Sequence, residues 1–279
     1  MSEGIVLDAE LLKSFPLPTL EENGDKEDRG LVLIIGGSRE VPGAAILAGV
    51  AALRAGAGKL QIVTDDVVAV PTAIAVPEAK VSDGSPMEQL KHAQAAVFGP
   101  GMAVGPELDS LIPEILACKE PMPLILDATV LGSLAPLADE VRAWPGEIAL
   151  LPHSREMARL LDCDPAEVEI DPATAALSAA DRYQAVALVK GGCSFVAAPD
   201  GRLFRFDGGG VGLATSGSGD VLAGLCGGLA AQGADMLTAT LWAVWLHGQA
   251  GRVLARNTGK VGYLAREISA LVPGLLPAR

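Results

Sequence analysis

An α/β fold, a mostly parallel sheet with helices on both faces, is what this sequence predicts, and three observations predict it. Short all-apolar runs of strand length recur along the 279 residues and close in turns marked by glycine or proline. Runs that lack polar alternation belong to strands buried on both faces. The stretches between several of them carry helical patterns, so strand, turn, helix and strand alternate, as in βαβ units. Half of the residues are hydrophobic but only 4% are aromatic, so a large core is built mainly from Ala, Val, Leu and Ile.

The elements follow in order. Residues 1–29 read as an arm, with a short amphipathic pattern at Leu7, Leu11 and Leu12, then a charged loop ending at Arg29. Leu31–Ile35 is a strand that ends at Gly36-Gly37-Ser38, and Pro42 opens a helix that runs to about Ala55. Gly56-Ala57-Gly58 stops it, and a strand follows over 59–64. Further strands are read at 95–98, 124–126, 148–151 and 185–189, with helices at 105–118, 154–161 and near 174–183. Residues 195–198 and 202–206 flank Pro199-Asp200-Gly201 as a hairpin. Three helices close the chain, over 218–231, 235–256 and 262–271. No repeat, low-complexity tract or linker divides the sequence, so one domain over 1–279 is expected.

Charge and composition exclude several classes of function. A formal charge of −13 argues against nucleic acid and anionic membrane as partners. The four cysteines show no paired spacing, which fits a reduced, cytoplasmic setting better than a disulfide framework or zinc site. Glu3, Asp8 and Glu10 near the start do not read as a signal peptide, and no apolar run has membrane-spanning length.

The chemistry concentrates at strand ends, where open α/β sheets bind ligands. Leu213 through Gly224 runs glycines and small polar residues straight into an apolar helix. The first amides of a helix lack internal partners and attract phosphate, and glycines allow close approach. Asp220, in the first turn, reads either as an acidic cap or as a base that takes the proton of a hydroxyl attacking phosphorus. Lys190-Gly191-Gly192-Cys193-Ser194 follows a buried strand and reads either as a turn or as a second phosphate contact. His153, with Glu156 three residues on, marks a strand-to-helix junction; Glu156 suits the first helical turn, whereas His153 is less easily explained by structure and suits a ligand. Asp127, at another strand end, is a possible second carboxylate near phosphate or Mg²⁺. His247 reads as a packed, hydrogen-bonded core histidine and His92 as a surface one. The cysteines read as small hydrophobes, Cys193 excepted, because its loop borders the candidate site. Trp242 and Trp245 read as core or subunit contacts. Neither G-x-x-x-x-G-K-[ST] nor G-x-G-x-x-G is present, so neither a P-loop nor a dinucleotide hydride-transfer fold is indicated.

With these residues assembled, the chain resembles the ADP/ATP-dependent NAD(P)H-hydrate dehydratases, a carbohydrate-kinase-like branch of the ribokinase superfamily. The blocks that carry the resemblance are 33–38, 42–45, 53–58, Gly99-Pro100-Gly101, Leu126-Asp127-Ala128, 152–160, Lys190-Gly191 and 213–224. It implies a ribokinase-like three-layer sandwich and repair of hydrated NADH or NADPH, with phosphorylation of the C6 hydroxyl, then loss of phosphate. By position, Ala44, Gly101, His153 and Asp220 would contact the hydrated dinucleotide. Lys190, Gly191, Gly192, Cys193, Ser194, Gly217, Ser218 and Gly219 would hold the nucleotide, and Asp220 would be the base. The resemblance also implies ADP, or else ATP, as co-substrate, Mg²⁺ with unassigned ligands, a homo-oligomer that is tetrameric by analogy, and an epimerase acting upstream as a separate protein, since no fused epimerase domain is read here. Thr129, Gly210 and Val211 stand where the family usually has an acidic residue, asparagine and proline, and Ser194 replaces a common threonine. The competing expectations are a small-molecule kinase of the hydroxyethylthiazole type and a non-catalytic nucleotide-binding protein.

Overall fold

The computed structural model describes residues 3–19, 21 and 23–278; positions 1, 2, 20 and 22 of the expected arm and loop lie outside the described residues. Among the described residues, ten strands form one sheet: β1 (Ile5–Val6), β2 (Leu31–Ile35), β3 (Lys59–Val63), β4 (Ala79–Ser82), β5 (Ala95–Phe98), β6 (Leu124–Leu126), β7 (Ile148–Leu150), β8 (Val186–Val189), β9 (Ser194–Ala197) and β10 (Leu203–Phe206). Their order across the sheet is β1-β10-β9-β8-β7-β6-β5-β2-β3-β4. From β4 to β8 every pairing is parallel, and only β9 runs antiparallel to its neighbours.

Successive residues of a strand point to opposite faces. Val32 and Ile34 accordingly join one core while Leu33 and Ile35 join the other. The first core is covered by α1 (Pro42–Ala55), α9 (Ser218–Ala231), α10 (Met236–Asn257) and α11 (Ala265–Leu275). The second is covered chiefly by α4 (Pro106–Leu116), α5 (Ala138–Arg142), α6 (Ser154–Leu161) and α8 (Pro172–Tyr183). Three further helices, α2 (Asp66–Ala75), α3 (Pro86–Leu90) and α7 (Pro165–Ile170), complete the layers. The expected three-layer α/β sandwich is present.

Two features place the site. The chain winds outward from β2 to β4, then returns to the other side of β2 with β5, so the strand order reverses between β2 and β5. The loops after these two strands meet there, the Gly37 amide donating to the Pro100 carbonyl at 2.7 Å. The second feature is the close approach of α9 to α1. A Cβ on Gly224 would lie 2.0 Å from the Ala48 carbonyl, and one on Gly228 2.4 Å from that of Ala52. These small residues let α9 pack directly on α1 and the sheet, with its N-terminus at the strand ends.

Several expectations are corrected. The segment 66–90 holds α2, β4 and α3, none of which was read from sequence. Pro71 lies inside α2, Val67, Val70 and Ile74 are exposed, and β4 is a short, half-exposed edge strand, so neither hydrophobic period was visible. The arm is docked rather than free: β1 pairs with β10, Leu7, Leu12 and Leu17 are buried, and the Trp242 indole donates to the Phe15 carbonyl at 2.7 Å. That bond also assigns Trp242 to the core. The last helix begins at Ala265, not 262, because Tyr263 turns into the core ahead of it.

Candidate functional site at the mouth of α9

The candidate site begins with the backbone of α9. Its N-cap is Gly217 in the left-handed conformation (φ 86°), and no side chain caps the helix. Positive φ favours glycine; the Ser218 amide donates back to the Thr215 carbonyl at 3.2 Å, and the uncapped start leaves the Gly219 and Asp220 amides for an outside acceptor. A cavity of about 720 Å³ opens beside it, bordered by Lys190, Gly191, Gly192, Ser194, Ser218 and Gly219. That volume suits a nucleotide-sized ligand. Six of the eight residues expected to hold nucleotide therefore line one cavity.

The other two do not line it. Gly217 shapes the turn, where a Cβ would strike Leu47 Cδ1 at 2.4 Å. The Cys193 thiol points to Asp207 Oδ1 at 3.0 Å, and burial with that carboxylate pushes it up to about 12. A thiol held protonated is a poor nucleophile, so Cys193 is inert despite its place in the loop.

A set of charges stands behind the mouth. Lys190 Nζ is 2.7 Å from Asp127 Oδ1, and Asp127 is almost wholly buried. Burial works against the Lys190 ammonium, but the carboxylates of Asp127, Glu156 and Asp220 outweigh it and raise its pKa. Asp220 is half-buried. Burial first, then Asp127 and Glu156, lift its carboxyl to about 6 against the opposing pull of Lys190. A carboxylate with that pKa is ionised at neutral pH yet basic enough to accept a proton. Asp127 is thus where the sequence expected a second acid, but its visible task is to hold Lys190. A Cβ on Gly219 would lie 3.4 Å from Lys190 Nζ, so the mouth stays narrow and bare.

His153 borders the cavity, but it also has a structural task the sequence did not reveal. It caps α6: Nδ1 accepts the amides of Arg155 and Glu156 at 3.1 and 3.3 Å, while Glu156 Oε2 accepts the His153 amide at 2.9 Å. With Nδ1 accepting, the neutral ring carries its proton on Nε2. Lys190 joins the same junction through an isolated parallel bridge with His153. Ala44 and Gly101 lie apart from the cavity, at the strand-order reversal, where a Cβ on Gly101 would be 2.7 Å from that of Ala44. Asp127 links the two places, since a Cβ on Gly99 would strike its carbonyl at 1.9 Å.

At the apolar end of the cavity, Leu213 and Leu222 belong to the stretch singled out from sequence, whereas Phe206, Val244 and Gly248 were missed. Gly208 and Gly248 leave room for the Phe206 ring, which a Cβ on either would meet at 1.9 and 2.2 Å. The run Gly208-Gly209-Gly210 was the available signal. Gly210 and Val211, both departures from the family pattern, lie on the rim of this cavity, while the Thr129 hydroxyl donates to the Met102 carbonyl at 2.9 Å. Among the described residues, no three His, Cys, Asp or Glu side chains converge as a metal cage. No helix among them is long and apolar enough to cross a membrane.

An open helix mouth with a lysine and a poised acid, beside a nucleotide-sized cavity on a three-layer α/β sandwich, is the arrangement of a phosphate-handling protein of the ribokinase-like class. Residues 32–273 match the profile of the NAD(P)H-hydrate dehydratase family, and the chain belongs to that family. An ADP-dependent (S)-NAD(P)H-hydrate dehydratase of Xanthomonas campestris is 48% identical, over 96% of this chain and 94% of the relative. The crystal structure of the ADP/ATP-dependent NAD(P)H-hydrate dehydratase of Bacillus subtilis, co-crystallised with ATP and Mg²⁺, matches with a TM-score of 0.86 at 29% identity, covering 99% and 98% of the two chains. A ribokinase-like superfamily protein of Enterococcus faecalis matches with a TM-score of 0.87 at 25% identity, covering 99% and 96%.

Proposed function

We propose that this chain is an ADP-dependent (S)-NAD(P)H-hydrate dehydratase. The observation that carries the residue assignments is the uncapped mouth of α9, with Asp220 raised to about 6 in its first turn, beside a nucleotide-sized cavity. Nucleotide lies in that cavity with phosphates toward Lys190, Gly191, Ser194 and the amides of Gly217 and Gly219. The hydrated nicotinamide ring lies toward Asp220, His153, Ala44 and Gly101. Asp220 takes the proton of the C6 hydroxyl as its oxygen attacks phosphorus and the P–O bond to the departing nucleotide breaks. The helix amides and Lys190 offset the charge that develops on the phosphoryl group. Phosphate then leaves C6 with the C–O electron pair, a proton passes from C5 to water, and the C5–H electron pair becomes the 5,6 double bond. Phosphorylation is required because hydroxide is a poor leaving group and phosphate a good one.

Mg²⁺ fits this site as an ion carried on nucleotide phosphates and water, which needs no protein cage and at most one or two carboxylates. When bound, it supplies further charge neutralisation at the phosphates. The 48% identity to a dehydratase favours this reading over the vitamin-precursor kinase. The test supplies hydrated NADH and ADP and follows absorbance of the reduced cofactor. Recovery is expected with wild type, and Asp220→Asn is expected to lose about 100-fold or more in kcat while retaining nucleotide binding. Phosphorylation of a vitamin precursor without recovery would overturn the assignment.

A further inference from the structure

His247, in the middle of α10, is buried, borders the cavity, and has no part in the chemistry above. Its Nε2 lies 2.9 Å from Ser218 Oγ and 3.1 Å from the Ser218 carbonyl oxygen, at the first residue of α9. A carbonyl oxygen only accepts. An unprotonated Nε2 would set two lone pairs against each other at 3.1 Å, so Nε2 carries the ring proton. The same N–H is then shared with Ser218 Oγ, which accepts from it. The serine hydrogen is left unused by the histidine and is available to an acceptor in the cavity that Ser218 borders.

We infer that His247 is a positioning residue: it fixes the polarity of the Ser218 hydroxyl so that Ser218 donates its hydrogen to a phosphoryl oxygen at the mouth of α9. The phosphoryl half of this inference rests on the function proposed above; the polarity half rests on geometry alone. A neutral imidazole is what the arrangement needs. Burial pushes the His247 pKa down to about 4, against the pull of the Ser218 carbonyl, and Lys190 acts in the same direction as burial. The Ser218 side chain therefore keeps one orientation over the range in which Asp220 ionises. A hydroxyl held as a donor adds to the helix amides without the reorganisation a free rotor would need at the moment of transfer.

Two measurements on the full chain test this. Imidazole ¹⁵N shifts of wild type, assigned among the three histidines by His92→Gln and His247→Gln, are expected to show protonated Nε2 and bare Nδ1 at His247 from about pH 5.5 to 8. The opposite tautomer would overturn the inference whatever the protein's activity. In turnover with hydrated NADH and ADP, Ser218→Ala and His247→Met are each expected to lose about 10-fold in kcat, the scale of one lost hydrogen bond to a charged group. His247→Gln, which keeps an N–H near the Nε2 position, is expected to recover to within about 3-fold. Because both residues act through one hydroxyl, the double variant Ser218→Ala/His247→Met should be no slower than Ser218→Ala alone. Multiplying losses, or no rescue by glutamine in a variant that melts like wild type, would overturn it. Absence of turnover in wild type would instead defeat the function proposed above and with it the phosphoryl half, leaving the tautomer to decide the polarity of the Ser218 contact.

Discussion

Two helices of this protein begin alike and do different things. Both α6 and α9 start with serine and carry an acid at the third position, Glu156 in one and Asp220 in the other. At α6 the preceding His153 and Glu156 cap each other's amides, and the histidine is largely exposed. At α9 the preceding residue is Gly217, which has no side chain to offer, and Asp220 closes no capping box. The acid at α6 is used up by its own helix, whereas the acid at α9 is left available, half-buried and poised near neutrality. A carboxylate in the first turn becomes reactive where the cap is missing and other carboxylates are brought close.

The contrast can be broken at Lys190. Replacing it with methionine leaves the buried Asp127 carboxylate unpaired, and a loss of about 3 kcal/mol in unfolding free energy is expected by chemical denaturation. Retention of wild-type stability would mean that the pair at 2.7 Å does not hold the back of the site together.

The contrast sharpens at Asp220. Its folded pKa, about 6, lies above the ordinary aspartate value of 3.8, so the folded state binds the proton more tightly than the unfolded one. Stability therefore falls as pH rises from about 4 through about 6, and the strain is complete above that. Asp220→Asn is expected to be more stable than wild type at pH 8 by an amount of order 2 kcal/mol, and the gap should close as pH falls from about 6 to about 4. Melting curves across this range check it. In kinetics, kcat/KM of wild type should climb on the acid side with an apparent pKa near 6, as base catalysis by this group requires.

The smallest effect is expected on the capped side. Glu156→Ala removes one half of the α6 capping box, for about 1 kcal/mol of stability. It also removes one of the charges that raise Asp220, so the acid limb of the rate profile should shift toward lower pH. A loss of stability as large as that expected for Lys190→Met would show that the two helix starts are not divided as described.

Legibility in the sequence followed the range of the interaction concerned. Lys190-Gly191-Gly192 and the run 213–224 were readable because each depends on a strand end, a glycine turn and a helix start within a few residues. The role of His153 as a cap was local too, but an imidazole substituting for serine or aspartate is an uncommon signal. Pro71 and the exposed Val70 and Ile74 hid α2, whose helix is fixed by packing and by the Asp65 cap rather than by periodicity. Phe206, Val244 and Gly248 were not readable as cavity residues, since each looks like ordinary core in its own strand or helix.

By itself the sequence determined the alternation of strand and helix, the bare glycine mouth, and the acid placed at its first turn, because these are written in neighbouring residues. The tertiary structure alone decided what that acid is. Asp127, Glu156 and Lys190 reach Asp220 from three different strand ends, and His247 reaches Ser218 from a separate helix. Charges act through space with little regard for chain order, so the proton affinity that makes Asp220 a base exists only once the sheet has gathered them.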